Sequence, residues 1–201
     1  MSVRSMAAAE SRPTERVILG IDPGTTVMGF GVLLEQGRTI TLLDAGAIRF
    51  APADDHTLKL REIFIRTLAI IELHKPDELA IEAQFFGKNV QSMLKLGRAQ
   101  GVAIAAALHR QVVVVEYAPK RVKQAVTGNG SASKEQVAAM LLGILKVKEL
   151  PSSTDATDAV AVAVCHHFSR NNAVQKGGGV ARGSSDWGAF VRSNPERLKK
   201  I

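Results

Sequence analysis

The chain has a single cysteine, Cys165, in 201 residues, so no internal disulfide can form and a reducing, cytoplasmic setting is expected. Aromatic residues make up only 4% of it, which makes the adjacent pair Phe85 and Phe86 conspicuous. No apolar run approaches the ~18 residues of a membrane span. Even the stretch from Gly101 to Leu108 stops at His109. The first sixteen residues carry Arg4, Glu10, Arg12 and Glu15 and have no apolar core of the kind a secretion signal needs. No repeat of ~20–50 residues is visible, which sets solenoids and propellers aside.

What is present is the composition of a globular domain, with 46% hydrophobic and 22% charged residues. The net charge of +7 is unevenly spread. Residues 17–82 carry −4, residues 83–150 carry +7, residues 151–169 carry −2 and residues 170–201 carry +5. A basic surface beside an acidic cluster suits a phosphate-rich polymer and a metal ion together, although two solvated faces would give the same pattern. The expected organisation is a flexible extension over 1–16, a folded domain over 17–169 and a flexible basic tail over 170–201, where Gly177-Gly178-Gly179 and Gly183-Ser184-Ser185 interrupt any periodicity.

Three short apolar runs, Val17 to Ile21, Gly29 to Leu34 and Ile40 to Ile48, are separated by turn signals at Asp22-Pro23-Gly24 and Gln36-Gly37 and predict an antiparallel meander. Leu60, Ile63, Phe64, Leu68 and Ile71 recur at helical spacing, so the pattern predicts a helix over Thr57–His74, stopped by Pro76. Leu79-Ala80-Ile81 reads as a strand that delivers Glu82 to its end, followed by a helix over Gln91–His109 and a strand over Val112–Val115. Ser133 with Gln136 forms a capping-box pattern ahead of Val137, Leu141, Ile144 and Leu145. The order predicts an α/β mixed sheet in which two parallel strands extend the meander.

The segment Asp155–Phe168 alternates Ala and Val from Ala159 to Val164 and reads as strand or helix. Helix is preferred, because Ser152, Ser153 and Thr154 offer a cap, acids suit a first turn and the run is long. A helix puts Asp155 and Asp158 on one face. Asp22 and Glu82 each abut a buried apolar run, a costly position for a carboxylate unless it is paired or binds a cation. With their strands adjacent and the helical pair nearby, four carboxylates converge, and Mg²⁺ or Mn²⁺ is the usual remedy for their repulsion. Each acid alone reads as a solvated residue or a helix cap, and for Asp155 or Asp158 taken singly that plainer reading is favoured.

Several stretches together resemble the RuvC family of crossover-junction endodeoxyribonucleases. They are Ile18-Leu19-Gly20-Ile21-Asp22-Pro23-Gly24-Thr25-Thr26 with Gly29-Phe30-Gly31-Val32, and Ala80-Ile81-Glu82-Ala83-Gln84-Phe85-Phe86-Gly87-Lys88-Asn89. They continue with Leu94-Lys95-Leu96-Gly97-Arg98-Ala99-Gln100-Gly101, with Val122-Lys123-Gln124-Ala125-Val126 and with Asp155-Ala156-Thr157-Asp158-Ala159. The resemblance implies an RNase H-like fold and a Mg²⁺-dependent homodimer, with Mn²⁺ as a substitute. It implies paired symmetric nicks in Holliday junctions, two metal ions per site, and the RuvA–RuvB branch-migration machinery as partner. By motif position the catalytic and metal-binding acids are Asp22, Glu82, Asp155 and Asp158; some members of the family carry His where this chain has Asp155.

The resemblance also places Lys123 and Lys134 near the active site and Phe85 or Phe86 at the junction centre, where an apolar side chain can wedge between bases. Lys88, Lys120 and Arg121 join them as expected DNA contacts, the last two beside the loop Thr127–Gly130. Gly97, Gly101 and Ala105 recur every four residues and form the expected dimer face, unless they pack on the chain's own sheet. Cys165 beside His166 and His167 reads as core packing with a helix-end charge rather than a nucleophile, since adjacent helix residues point in different directions. Two rivals remain. The first phosphate loop of actin-like ATPases resembles Asp22–Thr26, but a second lobe does not fit in the length. A silent nucleic-acid-binding module suits the charge but leaves four clustered acids unexplained.

Overall fold

The computed structural model describes residues 15–51, 55–84 and 89–175, with side chains as far as residue 171. The five strands are β1 (Glu15–Asp22), β2 (Val27–Gln36), β3 (Thr39–Arg49), β4 (Glu78–Glu82) and β5 (Val113–Tyr117). Between and after them come α1 (His56–His74), α2 (Val90–His109), α3 (Pro119–Thr127), α4 (Lys134–Leu145) and α5 (Thr154–Gln175). The sheet order is β3-β2-β1-β4-β5, antiparallel in the meander and parallel from β1 through β4 to β5. The predicted mixed sheet is therefore what the chain forms. One compact unit extends to Ser169, and a second, from Arg170, is described only for Arg170–Gln175, the end of α5. Most of the expected 1–16 extension and of the 170–201 tail lies outside the described residues.

Side chains alternate across the strands, so each face of the sheet has its own core. Leu19, Ile21, Leu79 and Ile81 meet Ile63, Ile70 and Ile71 of α1 and Ala99, Ala103 and Ala107 of α2. On the opposite face Ile18, Leu33 and Ala80 meet α5, which is backed by Val122 and Val126 of α3 and Val137 and Leu141 of α4. Every residue of α5 from Ala159 to His167 is buried, which explains its featureless Ala/Val pattern: a helix enclosed on all sides shows no polar stripe.

The close seat of α5 on the sheet depends on three glycines. An added Cβ would stand 2.2 Å from the Ala159 carbonyl oxygen at Gly20, 1.9 Å from the Asp155 carbonyl oxygen at Gly29 and 2.6 Å from Val160 at Gly31. Gly20 and Gly31 are partners in register, as are Asp22 and Gly29. Two histidines hold the other half of the helix. His166 bonds the Tyr117 hydroxyl through Nδ1 at 2.9 Å and pairs with Glu78 through Nε2, while His167 Nδ1 meets Glu35 Oε2 at 2.6 Å. Both are buried in mid-helix, so the expected helix-end charge is replaced by a pair of tethers from α5 to the sheet.

α3 is an element the hydrophobic pattern misses, because only Val122 and Val126 of its nine residues are buried. Its punctuation was readable: Pro119 opens it, and Gly128 closes it at φ 77°. β5 runs Val113–Tyr117 rather than Val112–Val115, set by its register with β4. The capping box at Ser133 forms as expected, with the Ser133 hydroxyl accepting from Gln136 N and the Gln136 side chain from Ser133 N.

Candidate active site

Asp22 ends β1 and Glu82 ends β4, and these strands are parallel neighbours with Ile21 opposite Ile81 one residue earlier. Asp155 lies in the first turn of α5 and Asp158 one turn further on, and the glycine contacts carry the start of this helix across to the same end of the sheet. Asp22 lies within electrostatic reach of the other three acids. Burial pushes the Asp22 carboxyl up to about 7, and the charges of Glu82, Asp158 and Asp155 push in the same direction against Lys134. Glu82 is also raised, first by burial and then by Asp158, while Lys134 and Lys123 oppose the shift. Asp155 accepts a hydrogen bond from the Ser153 hydroxyl at 3.1 Å.

Lys134, the first residue of α4, donates from Nζ to Asp158 Oδ2 at 2.5 Å, and this bond holds its own ammonium above its ordinary value. Lys123, Lys134, Glu82 and Asp158 line a cleft of about 220 Å³. A second hollow of about 180 Å³ adjoins it between the starts of α4 and α5, lined by Lys134, Ser152, Ser153, Thr154, Thr157 and Asp158. Of the expected basic contacts, Lys123 and Lys134 enter the acid cleft. Arg121 points elsewhere, to the Ser169 hydroxyl at 3.3 Å, and Lys120 lies against Gly130. Phe85, Phe86 and Lys88 fall outside the described residues.

A cluster of hard oxygen donors whose charge Lys134 and Lys123 only partly offset favours a hard dication. Such an ion would offset the crowding of negative charge around the half-buried Asp22, whose carboxyl is pushed up to about 7 by burial and by the three other acids. Among the described residues no three His, Cys, Asp or Glu side chains stand close enough to hold one ion as they are placed. Ligation of one ion by three or more of them would require side-chain rotation, and Asp158 would have to give up its bond to Lys134. Cys165 is not a rival nucleophile: it is fully buried, and burial raises its thiol.

The raised Asp22 carboxyl has a consequence for metal-free protein. Its folded value of about 7 lies above the unfolded 3.8, so the folded state binds the proton more tightly and stability falls as pH rises from about 4 to about 7. The melting temperature without metal should drop by several degrees between pH 5 and pH 7.5, and Asp22→Asn should lessen that drop. Parallel pH profiles for the two proteins in differential scanning calorimetry would show that Asp22 is not perturbed.

Gly97, Gly101 and Ala105 do not pack on the sheet. They are exposed, whereas Ala99, Gln100, Ala103, Ala106 and Ala107 are the buried face of α2, and a Cβ added at Gly97 or Gly101 meets nothing within 4 Å. Val90, Leu94 and Leu108, between 53% and 62% exposed, extend the same outward stripe along the helix.

A mixed five-stranded sheet with acids at the ends of its first and fourth strands and on a helix crossing them defines an RNase H-like protein. The profile of the crossover junction endodeoxyribonuclease RuvC matches residues 18–166, and the chain belongs to that family. Crossover junction endodeoxyribonuclease RuvC of Cytophaga hutchinsonii is 54% identical over 187 residues, covering 93% of this chain and 90% of its own. The protein of that name from Bacteroides fragilis is 54% identical, covering 92% and 97%. The solved structure of Thermus thermophilus RuvC in complex with Holliday junction substrate superposes with a TM-score of 0.74 at 35% identity, covering 79% of this chain and 96% of that one.

Proposed function

We propose that the chain is a structure-selective endonuclease that resolves four-way junction DNA by paired nicks, using two divalent ions, Mg²⁺ with Mn²⁺ as a substitute. The observation that carries the reading is the convergence of Asp22, Glu82, Asp155 and Asp158 at one end of the sheet, where partial burial and the other acids push the Asp22 carboxyl up to about 7. It is supported by family membership and by the junction bound to the Thermus relative. Bound ions would lower the pKa of the attacking water and stabilise the leaving 3′ oxygen. Asp22 and Glu82, fixed on adjacent parallel strands, hold the rigid side of the site. Asp155 and Asp158 close it from α5, and the Ser153 hydroxyl orients Asp155. Lys134 exchanges its bond to Asp158 for a phosphate oxygen, and Lys123 supplies positive charge beside Glu82. Phe85 or Phe86 is assigned to the unstacked junction centre, and Lys88, Lys120 and Arg121 to the DNA backbone. The RuvA–RuvB branch-migration machinery is the proposed protein partner.

The experiment is a nicking assay on synthetic four-way junctions and linear duplex, with and without Mg²⁺. Symmetric nicks in the junction alone, dependent on the ion, are expected. Equal rates on the two substrates would defeat the assignment.

Two matched cuts in a two-fold substrate call for two matched sites, and the outward stripe of α2 is assigned to an isologous dimer. Gly101→Leu is a clean test because the position is open in the single chain. It should keep the melting temperature of an isolated protomer, sediment as a monomer and lose concerted cutting. An unchanged dimer in analytical ultracentrifugation would move the interface elsewhere.

A further inference from the structure

The face of the sheet opposite α5 carries a second charged feature that the acid cleft does not use. His56 opens α1 and Lys59 follows three residues later, so both lie on one side of its first turn. Lys95 and Arg98 repeat that spacing on α2, which packs against α1. The four residues form one electrostatic cluster: after its own burial, the cations of Arg98, Lys95 and Lys59 depress the His56 imidazole, with Asp55 opposing them. The Asp55 carboxylate is occupied as the α1 cap, accepting from Leu58 N at 2.8 Å.

Two observations show that the cluster is incomplete. None of Lys59, Lys95 and Arg98 forms an ion pair among the described residues. His56 Nε2 is buried with no hydrogen-bond partner, the single side-chain nitrogen or oxygen in that condition among the described residues. A buried, unpaired polar atom beside three uncompensated cations calls for an anion. An anion would relieve the repulsion and accept a hydrogen bond from the imidazole Nε2–H. α2 starts just beyond Glu82, so the cluster lies toward the same end of the sheet as the acids, and both helices begin there.

We propose that His56, Lys59, Lys95 and Arg98 bind successive DNA backbone phosphates distinct from the one that is cut, a proposal that rests on the reading of the chain as a DNA nuclease. The cations are spread over two helices, which matches successive charges of a polymer better than one small anion. Interactions of this kind position the duplex without reading its sequence. They also make affinity steeply dependent on salt, because each neutralised phosphate releases a counterion.

The test is the salt dependence of binding to a four-way junction and to linear duplex, under metal-free conditions, for the full chain, Lys59→Gln and the pair Lys95→Gln/Arg98→Gln. Lys95 and Arg98 are exposed, so their replacement does not threaten the core. Each phosphate that is no longer neutralised should lower the slope of log affinity against log salt by about 0.9. The slope should fall by about two such steps in the pair variant and about one in Lys59→Gln, with nicking at saturating DNA unchanged. The His56 imidazole, followed by NMR, should titrate at higher pH when DNA is bound and respond little to inorganic phosphate. Unchanged slopes in all variants would overturn the proposal. So would saturation of the His56 signal by millimolar inorganic phosphate, which would make this a small-anion site. Equal affinity for junction and duplex, with slopes still reduced in the variants, would retire the junction assignment while leaving the phosphate site in place.

Discussion

Asp22→Asn should leave a folded protein that binds four-way junctions and fails to cut them. The substitution keeps the side chain's size and removes the charge, so the change falls on metal capture. Cleavage should decline well beyond the ~10–100-fold typical of residues that only support a ligand. Binding should hold or tighten, because one negative charge no longer faces the phosphates. The position tolerates the change for the same reason that it is active. A carboxyl already pushed up to about 7 by burial and three acids gains little from its charge in the absence of an ion. Glu82→Gln and Asp158→Asn should follow, the second also freeing Lys134 from its 2.5 Å bond. Asp155→His should separate the metals, because imidazole suits Mn²⁺ better than Mg²⁺ and activity should persist preferentially in Mn²⁺. Junction cleavage by Asp22→Asn at the rate of the unmodified protein would remove the four-acid mechanism altogether.

Asp22 and Glu82 are readable because each breaks a local rule. Asp22 and Glu82 end runs that are otherwise apolar, and the strand–helix–strand crossover makes those runs neighbours, as the register of Ile21 with Ile81 shows. The Asp155–Asp158 pair depended on deciding between strand and helix for a segment whose composition is neutral between them. The caps and the length pointed to helix, and the enclosed position of α5 explains why no polar stripe could have settled it. α3 escaped the pattern because a short amphipathic helix with two buried residues carries too little periodicity. The tethers from His166 and His167 could not be found locally either. Their partners Glu78, Tyr117 and Glu35 lie 49 to 132 residues away, and only the assembled sheet brings them together. The sequence likewise leaves open which way Gly97 and Gly101 turn, because only the fold shows that the buried face of α2 is Ala99, Gln100, Ala103, Ala106 and Ala107.

Gly29→Ala should damage both the fold and the chemistry, which sets it apart from Asp22→Asn. Gly29 sits opposite Asp22 in the β1–β2 register and directly beneath the first turn of α5. A methyl group there would stand 1.9 Å from the Asp155 carbonyl oxygen and 2.4 Å from its carbonyl carbon. Both are backbone atoms, so no rotamer change relieves the clash, and the helix start or the strand must move. Overpacking of this kind typically costs ~1–3 kcal/mol. The displacement is aimed at the site, because the residue pushed away is itself one of the four acids. A misplacement of about 1 Å in a reacting constellation costs on the order of 10²-fold in rate. Gly29→Ala should therefore lower the melting temperature and cut the nicking rate about a hundredfold, whereas Gly97→Ala, with open space around its Cβ, should leave the stability of the single chain unchanged. Calorimetry and single-turnover nicking on the same preparations would decide the matter. A Gly29→Ala protein with the melting temperature and rate of the unmodified chain would show that the close seat of α5 does not hold Asp155 and Asp158 in place.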